Sequence, residues 1–221
     1  MELIEVSDLR KTYIMGKVSV NALNGVDVSI KKGEFVAIMG PSGSGKTTFL
    51  NHVGMLDVPT SGEIHLDGRD VTKMSSDMRA EYRLRHLGFI FQFFNLFTEL
   101  TALENVMFPM MMNRVPRYNE RARELLELVG LGDRLNHLPS ELSGGQQQRV
   151  TIARSLANSP KILLADEPTG NLDTKSSKEV LELFRKLNLE NGQTILMVTH
   201  SQEIGAMADR IIHFRDGMIE N

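Results

Sequence analysis

The sequence predicts an α/β fold built on a mainly parallel sheet, because three short apolar runs are each followed by a helical pattern. The runs are EFVAIM at 34–39, KILLAD at 161–166 and TILMVT at 194–199. Such runs are typical of strands buried on both faces, and parallel strands with covering helices bury them in this way. We therefore expect a single domain over residues 1–221, organised around one sheet.

Two further regions are predicted around this core. Residues 26–31 (VDVSIK) alternate between apolar and polar side chains, which indicates a half-exposed, N-terminal antiparallel β subdomain. From about 93 to 150 no strong strand signal occurs, so this segment is predicted to be an inserted α-helical subdomain. The other predicted elements are helices over 46–56, 72–86, 101–112 and 119–129, with strands over 62–68 and 87–92.

The composition excludes several classes of protein. The net charge is −3 and the pI is about 6.1, whereas nucleic-acid-binding proteins usually carry basic patches, so no nucleic-acid partner is expected. The chain has no cysteine, which excludes disulfides and thiolate metal sites. No stretch approaches the roughly 18 apolar residues of a membrane span, and no signal-peptide core is present. We expect a soluble chain that reaches a membrane only through a partner.

A phosphate-binding loop is the strongest local signal. GPSGSGKT, Gly40–Thr47, fits G-x-x-x-x-G-K-[ST] between a buried strand and a helix. Its glycines let the backbone wrap a phosphate, Lys46 brings a positive charge to the β and γ phosphates, and Thr47 offers its hydroxyl to Mg²⁺. An ordinary glycine turn is the alternative, but it leaves the full spacing unexplained. The pattern predicts a P-loop NTPase core.

Two carboxylates stand at the end of the run KILLAD, 161–166. Asp166 is expected at the carboxyl end of a parallel strand, where open sheets bind ligands, and it is a sensible Mg²⁺ partner through water. Glu167 comes next, and a carboxylate there can orient or deprotonate a water for attack on a γ-phosphate. A solvated turn or a helix N-cap is the alternative for such a pair. Because the pair directly follows the apolar residues ILLA, a solvated turn alone is the weaker explanation for it.

His200 lies just beyond the end of one predicted strand, Gln92 ends another, and both are candidates for the same edge. An imidazole at His200 can donate a hydrogen bond to a γ-phosphate and hold Glu167. Gln92 can reach Mg²⁺ or the attacking water, although a glutamine after a strand is more often a loop residue. The remaining histidines are interpreted as surface or packing residues: His52, His65, His86, His137 and His213.

LSGGQ, Leu142–Gln146, predicts a second anion site. Glycines that open a helix leave backbone N–H groups available, and the helix N-terminus adds favourable dipole charge. The phosphate loop already accounts for one nucleotide. A second copy of the chain, related by a two-fold axis, would supply the nucleotide that this second site binds.

Taken in order, the phosphate loop, LSGGQ, LLADE, GNLD and the late histidine make the chain similar to the ATP-binding subunit of ABC transporters. The resemblance runs from about Leu3 to Glu220, and LSGGQ at this spacing is far more specific than the phosphate loop alone. YIMGKVSVNALNGVD, FQFFNLFTELTALENV and PSELSGGQQQRV are similar to the lipoprotein-release and macrolide-export branch.

The resemblance implies a head-to-tail homodimer in which each LSGGQ binds the γ-phosphate of the ATP held by the other copy. It assigns stacking on adenine to Tyr13 and a place at the dimer interface to Asp173. The implied ATP-binding residues are Tyr13, Gly40, Ser42, Gly43, Ser44, Gly45, Lys46, Thr47, Thr48, Ser143, Gly144, Gly145, Gln146 and Asp173. The implied catalytic residues are Glu167, His200 and Gln92, and the implied Mg²⁺ ligands are Thr47, Gln92 and Asp166.

The implied function is that of an ATPase subunit at the cytoplasmic face of the membrane, driving a separate integral-membrane permease. The resemblance places the permease contact on the helical subdomain, at FFNLFTELTAL, 93–103. The methionine-rich run at 107–112 is expected to lie mainly in a core, with part of it exposed to this groove. Lipoproteins, peptides and hydrophobic compounds all remain open as cargo.

Three other functions compete with this one. A cell-division ATPase of the same type also partners a membrane protein without moving a substrate. Relatives that act on DNA or the ribosome usually have two cassettes, or long coiled-coil or zinc insertions, and this chain has neither. A self-contained P-loop kinase leaves LSGGQ unexplained.

Overall fold

The computed structural model describes residues 1–16 and 18–220. In chain order its elements are β1 (Glu2–Met15), β2 (Val18–Lys31), β3 (Phe35–Met39), α1 (Lys46–Val53), β4 (Ser61–Leu66), β5 (Arg69–Asp70), α2 (Ser76–His86), β6 (Leu87–Ile90), α3 (Ala102–Met112), α4 (Tyr118–Leu128), α5 (Gly144–Leu156), β7 (Ile162–Asp166), α6 (Thr174–Asn191), β8 (Thr194–Val198), α7 (Gln202–Met207), β9 (Arg210–Arg215) and β10 (Met218–Glu220). They form two compact units: Met1–Glu81 with the C-terminal segment from Gly192, and Tyr82–Asn191.

The first unit contains an antiparallel sheet in the order β2-β1-β4-β5. β1 and β2 form a long hairpin, in which Glu2 lies opposite Lys31 and Tyr13 opposite Val20. Val26 and Ile30 of β2 are fully buried while the residues between them are mostly exposed. The half-exposed antiparallel β subdomain predicted from residues 26–31 is therefore confirmed.

The first unit also holds a parallel core. β3 pairs in parallel with β8 and with β9, and β10 returns antiparallel to β9. β3 and β8 are buried almost throughout, as the EFVAIM and TILMVT runs predicted. No strands were predicted for β9 and β10, which are joined by Asp216 and Gly217 at φ of 48° and 77°.

The second unit pairs β6 with β7 in parallel and adds helices to them. It includes the whole of the predicted insertion at about 93–150. Within α3, Met110 is fully buried whereas Met111 and Met112 are exposed. Most of the run at 107–112 is therefore exposed or half-buried, so the expectation that it lies mainly in a core was wrong, while the exposed part that was expected is present.

Several element boundaries differ from the prediction. Helix α1 ends at Val53 because Met55 takes a left-handed φ of 54°, which a continuing helix excludes. Strand β6 ends at Ile90, so Gln92 lies two residues beyond the strand instead of completing it. Tyr13 lies inside the antiparallel hairpin, opposite Val20, and two residues of β1 follow it.

Candidate nucleotide site

The phosphate loop, Gly40–Thr47, connects β3 to α1 in the first unit. Gly43 and Gly45 have φ of 77° and 104°, a region that favours glycine. A Cβ on Gly45 would lie 2.5 Å from the carbonyl oxygen of Ala22, so a side chain is also excluded sterically. The loop therefore needs glycine at this position for its conformation and for its packing.

Buried polar groups line this loop. Lys46 is 5% exposed, and its Nζ donates to the carbonyl oxygens of Gly40 at 2.9 Å and Pro41 at 2.8 Å. The Oγ of Ser44 is buried without a hydrogen-bond partner among the described residues. A buried hydroxyl without a partner is costly, and it lies beside the helix N-terminus of α1, where phosphates bind. The loop fits a phosphate ligand.

Tyr13 is held by a cluster of polar side chains that the sequence patterns did not predict. Its hydroxyl donates to Oδ2 of Asp57 at 2.8 Å, and Nζ of Lys11 lies 4.8 Å from its ring centroid. Lys11 also donates to Oδ1 of Asp57 at 3.0 Å. The ring is 37% exposed and can receive a flat ligand. Of these residues, only Asp57 could have been noticed in the sequence, because it is a carboxylate just before the turn residues of LDVPTSG.

The charges in this cluster shift two pKa values. Burial, with the hydrogen bond to Asp57, raises the pKa of Tyr13 to about 12. Burial opposes ionisation of Asp57 as well, but hydrogen bonds from Lys11 and Tyr13 outweigh it and lower the pKa of Asp57 to about 2. Asp57 is thus an anion that accepts from both neighbours at neutral pH.

His200 follows β8 at the edge that carries the phosphate loop. Ile38 of β3 is in register with Val198 of β8, and the Thr199 N–H donates to the Ile38 carbonyl at 3.0 Å. The carboxyl ends of both strands therefore lie side by side, and His200 is exposed there. The first unit brings His200 and the loop from Gly40 to one sheet edge.

Asp166, Glu167 and Gln92 share an edge in the second unit. Ile90 of β6 is in register with Ala165 of β7, so the chain leaves both strands at the same end. Asp166 is the last residue of β7. Glu167 has a left-handed φ of 46°, which is uncommon for a residue with a side chain.

Gln92 forms a reciprocal pair with Asn171. Nδ2 of Asn171 donates to the Gln92 carbonyl at 3.0 Å, and Nε2 of Gln92 contacts Oδ1 of Asn171 at 3.5 Å. GNLD was one of the motifs in the sequence, but Asn171 within it was not singled out. A local pattern cannot show this pairing, because 79 positions separate the two residues.

LSGGQ forms the start of α5, with Ser143 as its N-cap. Oγ of Ser143 accepts the Gln146 N–H at 3.3 Å, and Oε1 of Gln146 accepts the Ser143 N–H at 2.9 Å. This is a capping box. Because both oxygens act as acceptors, the Ser143 hydroxyl hydrogen and the Gln146 Nε2 hydrogens can still be donated to an anion.

Asp173 and Ser176 lie next to the capped end of α5. Asp173 accepts the N–H groups of Lys175 and Ser176, both at 3.0 Å, and the Ser176 hydroxyl at 2.6 Å. These hydrogen bonds, led by the Ser176 hydroxyl, lower the pKa of Asp173. A Cβ on Gly145 would lie 2.7 Å from Oγ of Ser176. The second unit thus packs the GNLD segment against the LSGGQ glycines.

No cluster of three or more metal-ligating side chains of the His, Cys, Asp or Glu type occurs within 1–16 and 18–220. The candidate Mg²⁺ ligands offer three kinds of oxygen: Thr47 a hydroxyl, Gln92 an amide and Asp166 a carboxylate. Mg²⁺ prefers oxygen ligands and keeps several waters, commonly with substrate phosphates completing its shell. The donor chemistry fits Mg²⁺ that arrives with a nucleotide.

The model of the ABC transporter family matches residues 23–170. The chain belongs to the ABC transporter family. This ABC protein is an ATPase with an α/β P-loop NTPase fold, and it binds ATP. None of its helices within the described residues is long and apolar enough to cross a membrane.

Similar ABC proteins include exporters and a solved cassette. The chain is 52% identical, over all of its length, to the macrolide export ATP-binding/permease protein MacB of Syntrophobacter fumaroxidans, of which it spans 31%. It is 48% identical to the lipoprotein-releasing system ATP-binding protein LolD of Syntrophus aciditrophicus, covering 98% of both chains. The dimeric post-hydrolysis structure of the cassette MJ0796 bound to ADP and Pi is 45% identical, with a TM-score of 0.92 and coverage of 99% of this chain and 97% of that chain.

Proposed function

We propose that two copies of this ABC ATPase close on two ATP molecules, that hydrolysis separates them, and that the cycle drives a separate integral-membrane permease. The observation that carries the proposal is the capping box of α5, which directs the donors of Ser143 and Gln146 to a glycine-lined helix N-terminus. A partner copy supplies the γ-phosphate for these donors. The related MJ0796 cassette, described as a dimer with ADP and Pi, supports the same assembly.

In each proposed site one chain contributes the phosphate loop and the other contributes LSGGQ. Lys46 and the loop amides hold the β and γ phosphates, Tyr13 stacks on the adenine, and Asp173 links the two sites across the interface. The further ATP contacts are Gly40, Ser42, Gly43, Ser44, Gly45, Thr47 and Thr48 from one copy, with Ser143, Gly144, Gly145 and Gln146 from the other. Thr47, Asp166 and Gln92 hold Mg²⁺, which neutralises charge on the transferred phosphoryl group.

Hydrolysis follows in-line attack by water on the γ-phosphate. Glu167 orients this water or takes its proton, while His200 donates a hydrogen bond to the γ-phosphate and Gln92 orients the water or Mg²⁺. Two placements support these roles: His200 lies at the sheet edge of the phosphate loop, and Gln92 lies at the sheet edge of Asp166 and Glu167.

We place the permease contact on the aromatic surface of the second unit, at the cytoplasmic face of the membrane. Phe97 and Phe108 contact each other with ring centroids 4.8 Å apart, yet they are 45% and 41% exposed, and Phe93 is 70% exposed. Exposed aromatic patches of this kind mark interaction sites. The names of the related proteins MacB (macrolide export) and LolD (lipoprotein-releasing system) support export or release as the task of the transporter. The proposed cargo is a lipoprotein, a peptide or a hydrophobic compound.

The Glu167→Gln variant tests the assembly. It keeps the side-chain shape but removes the proposed base, so it should bind ATP, stop hydrolysis and accumulate as a dimer with ATP and Mg²⁺. Light scattering coupled to gel filtration measures the mass. Glu182→Gln, which changes an exposed carboxylate on α6, should hydrolyse ATP normally. A monomeric Glu167→Gln protein at saturating ATP contradicts the proposal.

The membrane partner is tested by co-purification. Tagged Glu167→Gln protein is isolated from its native cell in gentle detergent with ATP and Mg²⁺, and the captured proteins are identified by mass spectrometry. A permease with a few membrane spans is the expected partner. Ribosomes, DNA or division proteins would leave the ATPase assignment intact and overturn the transport function.

A further inference from the structure

Gln148 is a buried glutamine on α5 whose side-chain amide is used at both ends. It is fully buried. Its Nε2 donates to the carbonyl oxygen of Pro168 at 2.7 Å, and its Oε1, at 3.2 Å, shares the Thr151 hydroxyl with the Gln148 backbone carbonyl, which accepts it at 2.8 Å. An amide that is inaccessible to water and fixed at both ends has a defined orientation. The residue that it contacts comes directly after Glu167.

The turn that contains Glu167 depends on this contact. Glu167 has a φ of 46°, and its carbonyl accepts the Gly170 N–H at 3.0 Å. A non-glycine residue in this conformation is strained and persists only where its surroundings hold it. Pro168 is buried, so its carbonyl has little access to water, and a buried carbonyl without a partner is unfavourable. Gln148 supplies the partner and thereby holds the turn.

The helix that bears Gln148 begins at the capping box. Ser143 and Gln146 lie at the first turn of α5, and Gln148 lies on the following turn. A helix of 13 residues moves as a rigid element over this distance. Arg154, on the same helix, donates to the carbonyl oxygens of Asn95 at 2.6 Å and Phe94 at 3.1 Å. Helix α5 therefore contacts the segments that follow both β6 and β7.

We infer that Gln148 is a positioning residue that couples the two ATP sites of the proposed dimer. Binding of the partner's γ-phosphate fixes the N-terminus of α5, and Gln148 transmits that position to the Glu167 turn of the same chain. Glu167 then acts on the ATP of its own chain only when the other nucleotide is in place. This inference rests on the proposed function.

A matched pair of substitutions tests the role. Gln148→Met keeps the volume but removes the donor to Pro168, while Thr151 retains its bond to the Gln148 backbone carbonyl at 2.8 Å. Gln147→Met is the control, because Gln147 donates instead to the Leu142 carbonyl at 3.1 Å, within the start of the same helix. We expect Gln148→Met to lower kcat about tenfold with KM for ATP and the melting temperature nearly unchanged. Gln147→Met should keep kcat within about twofold.

Mixed dimers distinguish the coupled chain from its partner. In the first arrangement, a Gln148→Met chain is paired with a Glu167→Gln chain, so that the only intact Glu167 belongs to the chain lacking Gln148. In the second, both substitutions lie on one chain and the partner is wild type. Differently tagged chains are purified in tandem and assayed in a single turnover. We expect the first arrangement to be about tenfold slower than the second.

Several outcomes would overturn the inference. Equal rates in the two arrangements exclude an effect on the Glu167 of the same chain, and a normal kcat for a folded Gln148→Met protein excludes any positioning role. If Gln148→Met does not fold, the Thr151→Val variant tests the inference instead. It removes the hydroxyl that contacts Oε1 of Gln148 and should lower kcat by roughly threefold. An unchanged kcat would overturn the inference. Failure of the proposed dimer is seen separately, as a monomeric Glu167→Gln protein in ATP, and removes the inference with it.

Discussion

The hydroxyl of Tyr13 donates to Oδ2 of Asp57 at 2.8 Å, which joins the proposed adenine platform to a loop 44 positions later in the chain. Lys11 contacts the opposite carboxylate oxygen and lies over the Tyr13 ring. A ring held at its hydroxyl end loses little further freedom when a base stacks on it. Preorganisation of this kind favours binding.

Asp57→Asn should therefore weaken only that part of ATP binding that comes from the adenine base. We expect the Kd for ATP to rise roughly three- to tenfold, a loss of about 1 kcal/mol, because the platform is no longer anchored. The Kd for inorganic tripolyphosphate, which has no base, should not change. Isothermal calorimetry measures both. Tyr13→Phe keeps the ring but removes the anchor, so it should act like Asp57→Asn; an equal loss of tripolyphosphate binding would contradict this explanation.

The same carboxylate makes stability depend on pH in the acid range. The pKa of Asp57 is about 2 in the folded chain and about 4 when unfolded, so ionised Asp57 stabilises the fold above pH ~4. This contribution is lost as the pH falls from about 4 towards 2. The melting-temperature difference between wild type and Asp57→Asn should shrink over that range. A difference independent of pH would rule out the ionised carboxylate as its source.

Two glycines of the phosphate loop should respond differently to alanine. A Cβ added to Gly43 would have no described heavy atom within 4 Å, so Gly43→Ala costs only backbone strain, about 1 kcal/mol. At Gly45 the added Cβ meets the Ala22 carbonyl at 2.5 Å, so Gly45→Ala should cost at least about 3 kcal/mol. Urea unfolding without nucleotide measures both values. Equal losses would show that strain alone decides.

Asn105 should support the proposed permease surface through hydrogen bonds. It is fully buried, its Nδ2 donates to the carbonyls of Phe97, Leu100 and Thr101, and its Oδ1 accepts the Phe97 N–H at 2.9 Å. Asn105→Ala should cost about 3 kcal/mol in urea unfolding, because several partly buried backbone groups lose their partner. Asn191→Ala, at an exposed helix end, should stay within about 0.5 kcal/mol.

The same Asn105→Ala variant should bind the permease less well but still bind ATP. Since Asn105 holds the backbone at Phe97, capture of the permease should fall while ATP binding is retained. Co-purification from membranes and nucleotide calorimetry on the same preparation separate the two effects. Retained capture would place the contact elsewhere.

Local patterns predicted much of the fold. The apolar runs became β3, β7 and β8, and the helix predicted to follow the LSGGQ glycines became α5. The β9–β10 hairpin was missed although Asp216-Gly217 between apolar residues is a strong turn signal. The early end of α1 was missed because a left-handed Met55 has no signal of its own in the sequence.

By itself, the sequence determined the strands β3, β7 and β8 with helices after them, the phosphate loop and LSGGQ, because periodicity, turn chemistry and spacing act over a few residues. Only the tertiary structure decided which polar group meets which. Tyr13 with Asp57, Gln92 with Asn171 and Gln148 with Pro168 each join distant segments. Such pairs form where the folded chain brings distant segments within hydrogen-bonding distance, and at Gln148 packing also removes water, so that each pairing depends on the path of the whole chain.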